Sequence, residues 1–284
     1  MSRARTRTAV LSAGLVVLAA LGACTGQQPP GPTQPMAVRP DPRPIADEVL
    51  NRAIEQINQR GTARTSVRGD LGMVGELDAD GAVRYGNSQT DIELAGQTHS
   101  SRPNPLQLAV VDGVGYVNTP MAQPAPGKPW LRIDPGAGDF GAKLLGPALQ
   151  QMHQAVDPRA TFTGVEQATR VQSSAPDDVD GRPATRYDLR VRTEQAAKMA
   201  PDEQQRKRFE EAAHAGEREM GFQLWIDGSG APVKFTATEE VKQAGQVSLT
   251  STYRDWGSPV AIEPPPTEEV GVFEDAPPVA QPPR

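Results

Sequence analysis

Asp-Gly pairs set between short runs of alternating apolar and polar residues constrain this chain more than any other feature. Alternation with a period of two places one apolar face on each strand, and Asp-Gly favours a tight reversal between two such strands. The pairs fall at Asp80-Gly81, Asp112-Gly113, Asp180-Gly181 and Asp227-Gly228. The clearest hairpin is the third strand pair: Leu106, Leu108 and Val110 alternate before Asp112-Gly113, and Val114 and Tyr116 follow. A strand is expected over Thr65, Val67, Leu71 and Met73, turned back at Asp78-Ala79-Asp80-Gly81 into a strand from Val83 and Tyr85 to Leu94. Further strands are expected at Trp130–Ile133, at Tyr187, Leu189 and Val191, at Phe222, Leu224 and Ile226, at Val233 and Phe235, and at Val247, Leu249 and Tyr253.

Three segments change to a helical period. Ile45, Val49, Ala53, Ile54 and Ile57 share a face, with Asp47 and Glu48 in the first turn and Gly61 after the end. Between Phe140 and Val156, Leu144, Leu145, Ala148, Leu149 and Met152 share a side, and Pro147 is expected to start the better helix. Glu194 to Gly216 reads as a charged surface helix broken at Pro201. Roughly nine to eleven antiparallel strands and three helices make an α+β fold, a large sheet covered on one face by helices.

The N-terminus carries an export signal. Arg3, Arg5 and Arg7 precede an uncharged apolar run from Ala9 to Ala20, followed by Leu21-Gly22-Ala23-Cys24. The run is short for a membrane span, which takes about 20 residues. Leu-Gly-Ala-Cys resembles the bacterial lipobox, which implies diacylglyceryl attachment to Cys24 and cleavage before it. Two or three acyl chains anchor firmly where one binds only marginally. Cys24 is the sole cysteine of the 284 residues, so the chain makes no internal disulfide and its domain stands on its core alone. Loss of the signal takes the formal charge from -6 to -9. That balance, without a basic stripe, argues against a nucleic-acid partner and against electrostatic adhesion to anionic lipid. The expected organisation is a signal peptide over 1–23, a lipidated cysteine and Pro-rich tether over 24–43, one domain over 44–263 and a disordered Pro-rich tail over 264–284.

Catalytic patterns are not found. His99, His153 and His214 lack partners at metal-motif spacing, and no Gly-x-Ser-x-Gly, P-loop or Gly-x-Gly-x-x-Gly occurs. Asp139-Phe140-Gly141 stands without the rest of a kinase signature, and the Asp-x-Asp-Gly segments lack the further ligands of a calcium loop. The chain is expected not to be an enzyme and to need no cofactor or metal.

Four segments in order resemble the LppX/LprG-type lipoproteins of actinobacteria, relatives of the LolA-like carriers. They are the lipobox with its Pro-rich tether; Thr161–Val171 leading to Asp178-Val179-Asp180-Gly181 and Thr185–Leu189; Gln223–Pro232 with its Trp-bearing strand and Asp-Gly turn; and Thr252–Val260. The resemblance spans about residues 45 to 265. It implies a curved antiparallel sheet, an open half-barrel, with helices on its concave face and an apolar cavity between them for acyl chains. It implies an acyl-anchored protein at the extracytoplasmic face of the cell membrane that binds and transports a lipid or lipoglycan. A monomer with an envelope transporter as candidate partner fits that picture. On this reading Leu71, Met73, Leu108, Val110, Tyr116, Leu144, Leu149, Met152, Leu224 and Leu249 line the cavity, while Trp225 and Trp256 anchor the fold. Plain core packing has the same periodicity. The alternative function is a non-catalytic envelope sensor or interaction module that binds a membrane protein through an exposed apolar patch.

Overall fold

A computed structural model describes residues 45–273 except 72–74, 88, 100–101, 121 and 242–244. Cys24, the signal, the tether and Met73 lie outside the described residues. Pro42–Arg284 forms a compact unit, and one hydrophobic core runs through it.

The chain opens with α1 (Ala46–Arg60), then β1 (Thr62–Asp70), β2 (Glu76–Tyr85), β3 (Thr90–His99), β4 (Pro103–Val111), β5 (Val114–Asn118) and β6 (Trp130–Ile133). Two α-helices follow, α2 (Phe140–Val156) and the single turn α3 (Arg159–Phe162), then a 3-10 turn over Glu166–Ala168. After β7 (Thr169–Val179) and β8 (Arg182–Arg192) come α4 (Thr193–Met199) and α5 (Glu203–His214). The chain closes with β9 (Glu219–Asp227), β10 (Pro232–Val241), β11 (Gly245–Arg254) and a two-residue β12 (Val270–Gly271).

All strands join one open sheet in the order β12-β6-β5-β4-β3-β2-β1-β11-β10-β9-β8-β7. Every pairing is antiparallel except β12 on β6. The sheet must curl. Helix α2 touches both β6 and β10, which stand seven strand steps apart. A flat sheet would separate them by about 34 Å, whereas a 17-residue helix is about 25 Å long.

Several expectations need correction. Asp78-Ala79-Asp80-Gly81 is not a turn but the middle of β2; the reversal comes earlier, where Leu71 N–H bonds to Gly75 O at 3.0 Å. The acids stay extended because Arg68 on β1 pairs with Asp78 at 2.8 Å and with Asp80, and because the Ser66 hydroxyl also donates to Asp80. Gly81 serves close approach, since a Cβ there would lie 1.8 Å from the Glu93 carbonyl oxygen. The single strand expected from Val83 to Leu94 is two strands, β2 and β3, joined by a turn in which Gly86 N–H bonds to Gln89 O. Pro147 lies inside one continuous α2 rather than at its start. It sits on the solvent side, as does Lys143, whose carbonyl it deprives of a helical donor. The charged third helix is α4 and α5, and among the described residues five α-helices replace three. The tail does not begin as a disordered segment at 264: residues 267–269 form a helical turn and β12 pairs with β6.

Candidate functional site

The interface between α2 and the sheet is the candidate site. Asp139 starts α2 by accepting the Ala142 N–H at 2.7 Å. Most of the burial lies in the C-terminal half, where Met152, Ala155 and Val156 are at most 3% exposed; in the N-terminal half only the small Gly141 and Ala142 are buried. Its last carbonyl, that of Val156, accepts both Tyr85 Oη at 3.0 Å and Tyr253 Oη at 3.1 Å. Burial pushes both phenols well above their ordinary range, so they stay protonated donors. Asp157 follows at once, buried, and accepts from Thr90 Oγ1 and from Arg159 Nη2 at 2.9 Å. Arg159 lies 5.0 Å over the Tyr85 ring, and Trp256 stacks on Tyr85 at 5.5 Å. Trp256 also donates to Pro232 O and Trp225 to Asp177, so both tryptophans are structural anchors, as expected.

The N-terminal half of α2 is held differently. Phe140 is 48% and Leu144 54% exposed. Leu145 and Leu149 are half-buried against the core, and Leu149 sits over Gly115 of β5, where a Cβ would come within 2.3 Å of it. Farther along, Gln151, Gln154, Ala155, Ala237, Val247 and Leu249 surround a space of about 10 Å³, at most one water. Lipid-sized cavities need hundreds of cubic ångströms. The apolar interior at this place is therefore closed.

Leu71, Leu108, Val110, Met152, Leu224 and Leu249 lie in the one core, with Leu149 packed against it. Two expected lining residues do not join them. Tyr116 is on the outer face, because its neighbours Gly115 and Val117 take the inward positions of β5. Leu144 points to solvent one turn after Phe140. The sequence reading missed Gly115, which its place inside a strand could have flagged. It also missed the Tyr85, Asp157, Arg159 and Tyr253 cluster, which has no local signature.

A second, polar groove of about 390 Å³ lies on the other face, over β7 to β10, lined by Ser173, Asp188, Arg190, Gln223, Thr236 and Thr238 among others. Its polar groups pair with one another: Asp188 accepts from Ser173 and Gln223, and Arg190 donates to Gln172. The Ser173 bond first, then Gln223 and Arg186, holds the Asp188 carboxyl below its ordinary range. Among the described residues, no group of three or more His, Cys, Asp or Glu is placed to hold a metal, and no helix is long and apolar enough to cross a membrane.

His153 on α2 gives the site a pH dependence. Burial lowers its pKa, against the opposing pull of Asp157 and Asp202. Above the ordinary histidine value both folded and unfolded forms are neutral. Below it the unfolded chain takes the proton first, so stability falls as pH falls toward the depressed folded value. Urea midpoints at pH 7 and 5 check this: His153→Gln should shrink the acid-induced drop, and an unchanged drop would contradict it.

No family model matches the chain, and no curated protein does. Among solved structures it is similar to LprF from Mycobacterium bovis, at 13% identity and a TM-score of 0.44, over 78% of this chain and 96% of that one. The chain is also similar to a chain of the Pseudomonas aeruginosa MucA/MucB complex, at 16% identity and a TM-score of 0.32, over 73% of this chain and 55% of that one. These are distant likenesses.

Proposed function

We propose that this chain is a lipoprotein, anchored through acylated Cys24 at the extracytoplasmic face of the cell membrane. It takes an acyl chain of a lipid or lipoglycan between α2 and the sheet for transfer across the envelope. The uneven hold on α2 carries the reading. The C-terminal half is pinned by Tyr85, Tyr253 and the Asp157–Arg159 pair, while the N-terminal half exposes Phe140 and Leu144 and only half buries Leu145 and Leu149. Swinging the N-terminal half out about its fixed end would uncover Leu108, Val110, Val117, Leu131 and Ile133, all buried in the core. The magnitudes allow it. Opening exposes two half-buried leucines and these five core side chains, at about 1.5–3 kcal/mol for each fully exposed one; a seated acyl chain covers the core side chains again and adds about 0.8 kcal/mol per methylene. A chain long enough to cover that face offsets the opening.

The exposed Phe140 and Leu144 favour one other reading, a non-catalytic envelope module that binds a membrane protein through that face. Titration with a fluorescent fatty acid separates the two. Saturable one-to-one uptake is expected, and Leu149→Asp should weaken it at least about ten-fold by placing a carboxylate in the slot. A folded chain that takes up no fatty acid would leave the interaction reading.

A further inference from the structure

The segment after Pro266 crosses the sheet edge and ends on the loose half of α2. Ile262, 2% exposed, fixes its root, and the Ile262 carbonyl accepts Arg84 Nη2 at 3.2 Å. Pro264-Pro265-Pro266 then stiffens the path. Val270 and Gly271 pair with Trp130 and Leu131 of β6, the one parallel pairing in the sheet, and Lys128 Nζ donates to Val270 O at 2.9 Å. Gly271 lies so close to the loop before β6 that a Cβ there would stand 2.7 Å from Pro124 Cγ. Two residues later the Phe273 ring packs edge-on against Phe140, with centroids 6.1 Å apart, and reaches Gly141.

We propose that residues 267–273 are a latch that holds the N-terminal half of α2 shut and sets how readily the slot opens. The slot itself rests on the function proposed above; the latch rests only on these contacts. Phe140 stays 48% exposed with the Phe273 ring beside it, and Phe273 is partly buried against the core, so the pair is a light contact at the surface. A two-residue strand is also a short tether for an edge. It can detach without disturbing the antiparallel pairings, which makes the contact reversible. When it detaches, the β6 edge and Phe140 are freed together.

The test uses hydrogen exchange on the chain from Thr25 onward, which contains the whole compact unit. Two variants are compared with the parent: Phe273→Ala, which removes the ring, and Gly271→Val, which pushes β12 off Pro124 without touching α2. Exchange in peptides covering residues 140–149 should quicken about five-fold in both, the size expected for losing an edge-to-face aromatic pair, while peptides covering 150–156 stay unchanged. Unchanged exchange over 140–149 in both variants would overturn the latch. Fatty-acid uptake is followed on the same samples. Faster uptake in both variants supports latch and slot together. Faster exchange with no uptake by any of the three proteins supports the latch and sinks the lipid reading alone.

Discussion

Asp157→Ala is expected to destabilise the fold by about 3–5 kcal/mol, the range for removing one partner of a buried ion pair. Asp157 is 2% exposed. Its carboxylate accepts Arg159 Nη2 at 2.9 Å and Arg159 Nε at 3.0 Å, and the Arg159 backbone N–H at 2.9 Å. Without it the guanidinium keeps Asn58 Oδ1 and Gly86 O but stays largely buried over the Tyr85 ring with its charge uncompensated. Urea unfolding measures the loss. The double variant Asp157→Ala/Arg159→Met should recover part of it, because no orphan charge remains. A loss below about 1 kcal/mol, in the range of surface ion pairs, would mean that the cluster does not pin α2.

Phe162→Ala is expected to cost about 3–5 kcal/mol by a different route, the void left by a buried aromatic. Phe162, on the single turn α3, is 1% exposed and meets Phe222 at 5.4 Å and Phe235 at 5.8 Å. Those two rings stack at 6.1 Å across β9 and β10. The ring therefore ties the chain just after α2 to the centre of the sheet. Leu144→Ala is the control: an exposed side chain of the same helix region should change stability by no more than about 0.5 kcal/mol. Equal losses at Phe162 and Leu144 would contradict the division of the molecule into a fixed core and a loosely held half-helix.

Local signals were the readable part of the sequence. Asp112-Gly113 and Asp180-Gly181 turn as expected, with both residues of each pair in the left-handed region. The same dipeptide at Asp80-Gly81 misled, because what keeps it extended is Arg68 across the sheet and the Glu93 carbonyl on the next strand, neither of them a neighbour in sequence. The first helix was legible to within a rotation. Leu50 faces the core where Ile45 was expected to, and Ile45 is 59% exposed. At the candidate site, alternation identified the inward residues of β4, β9 and β11, and a helical period identified Met152. Whether those residues line a slot or fill it is decided by how far α2 settles on the sheet, a quantity that no spacing encodes. The tail was unreadable for a similar reason. Val270 to Phe273 is a short apolar stretch among prolines and acids, and only the open edge of β6 gives it a place.

Mass spectrometry of bound lipid tests the central proposal most directly. The chain from Thr25 onward is expressed in an actinobacterial host and purified without detergent. About one equivalent of co-purified acyl lipid per chain is expected, lost or reduced in Leu149→Asp. An empty, folded chain that also takes up no offered lipid would contradict the carrier function.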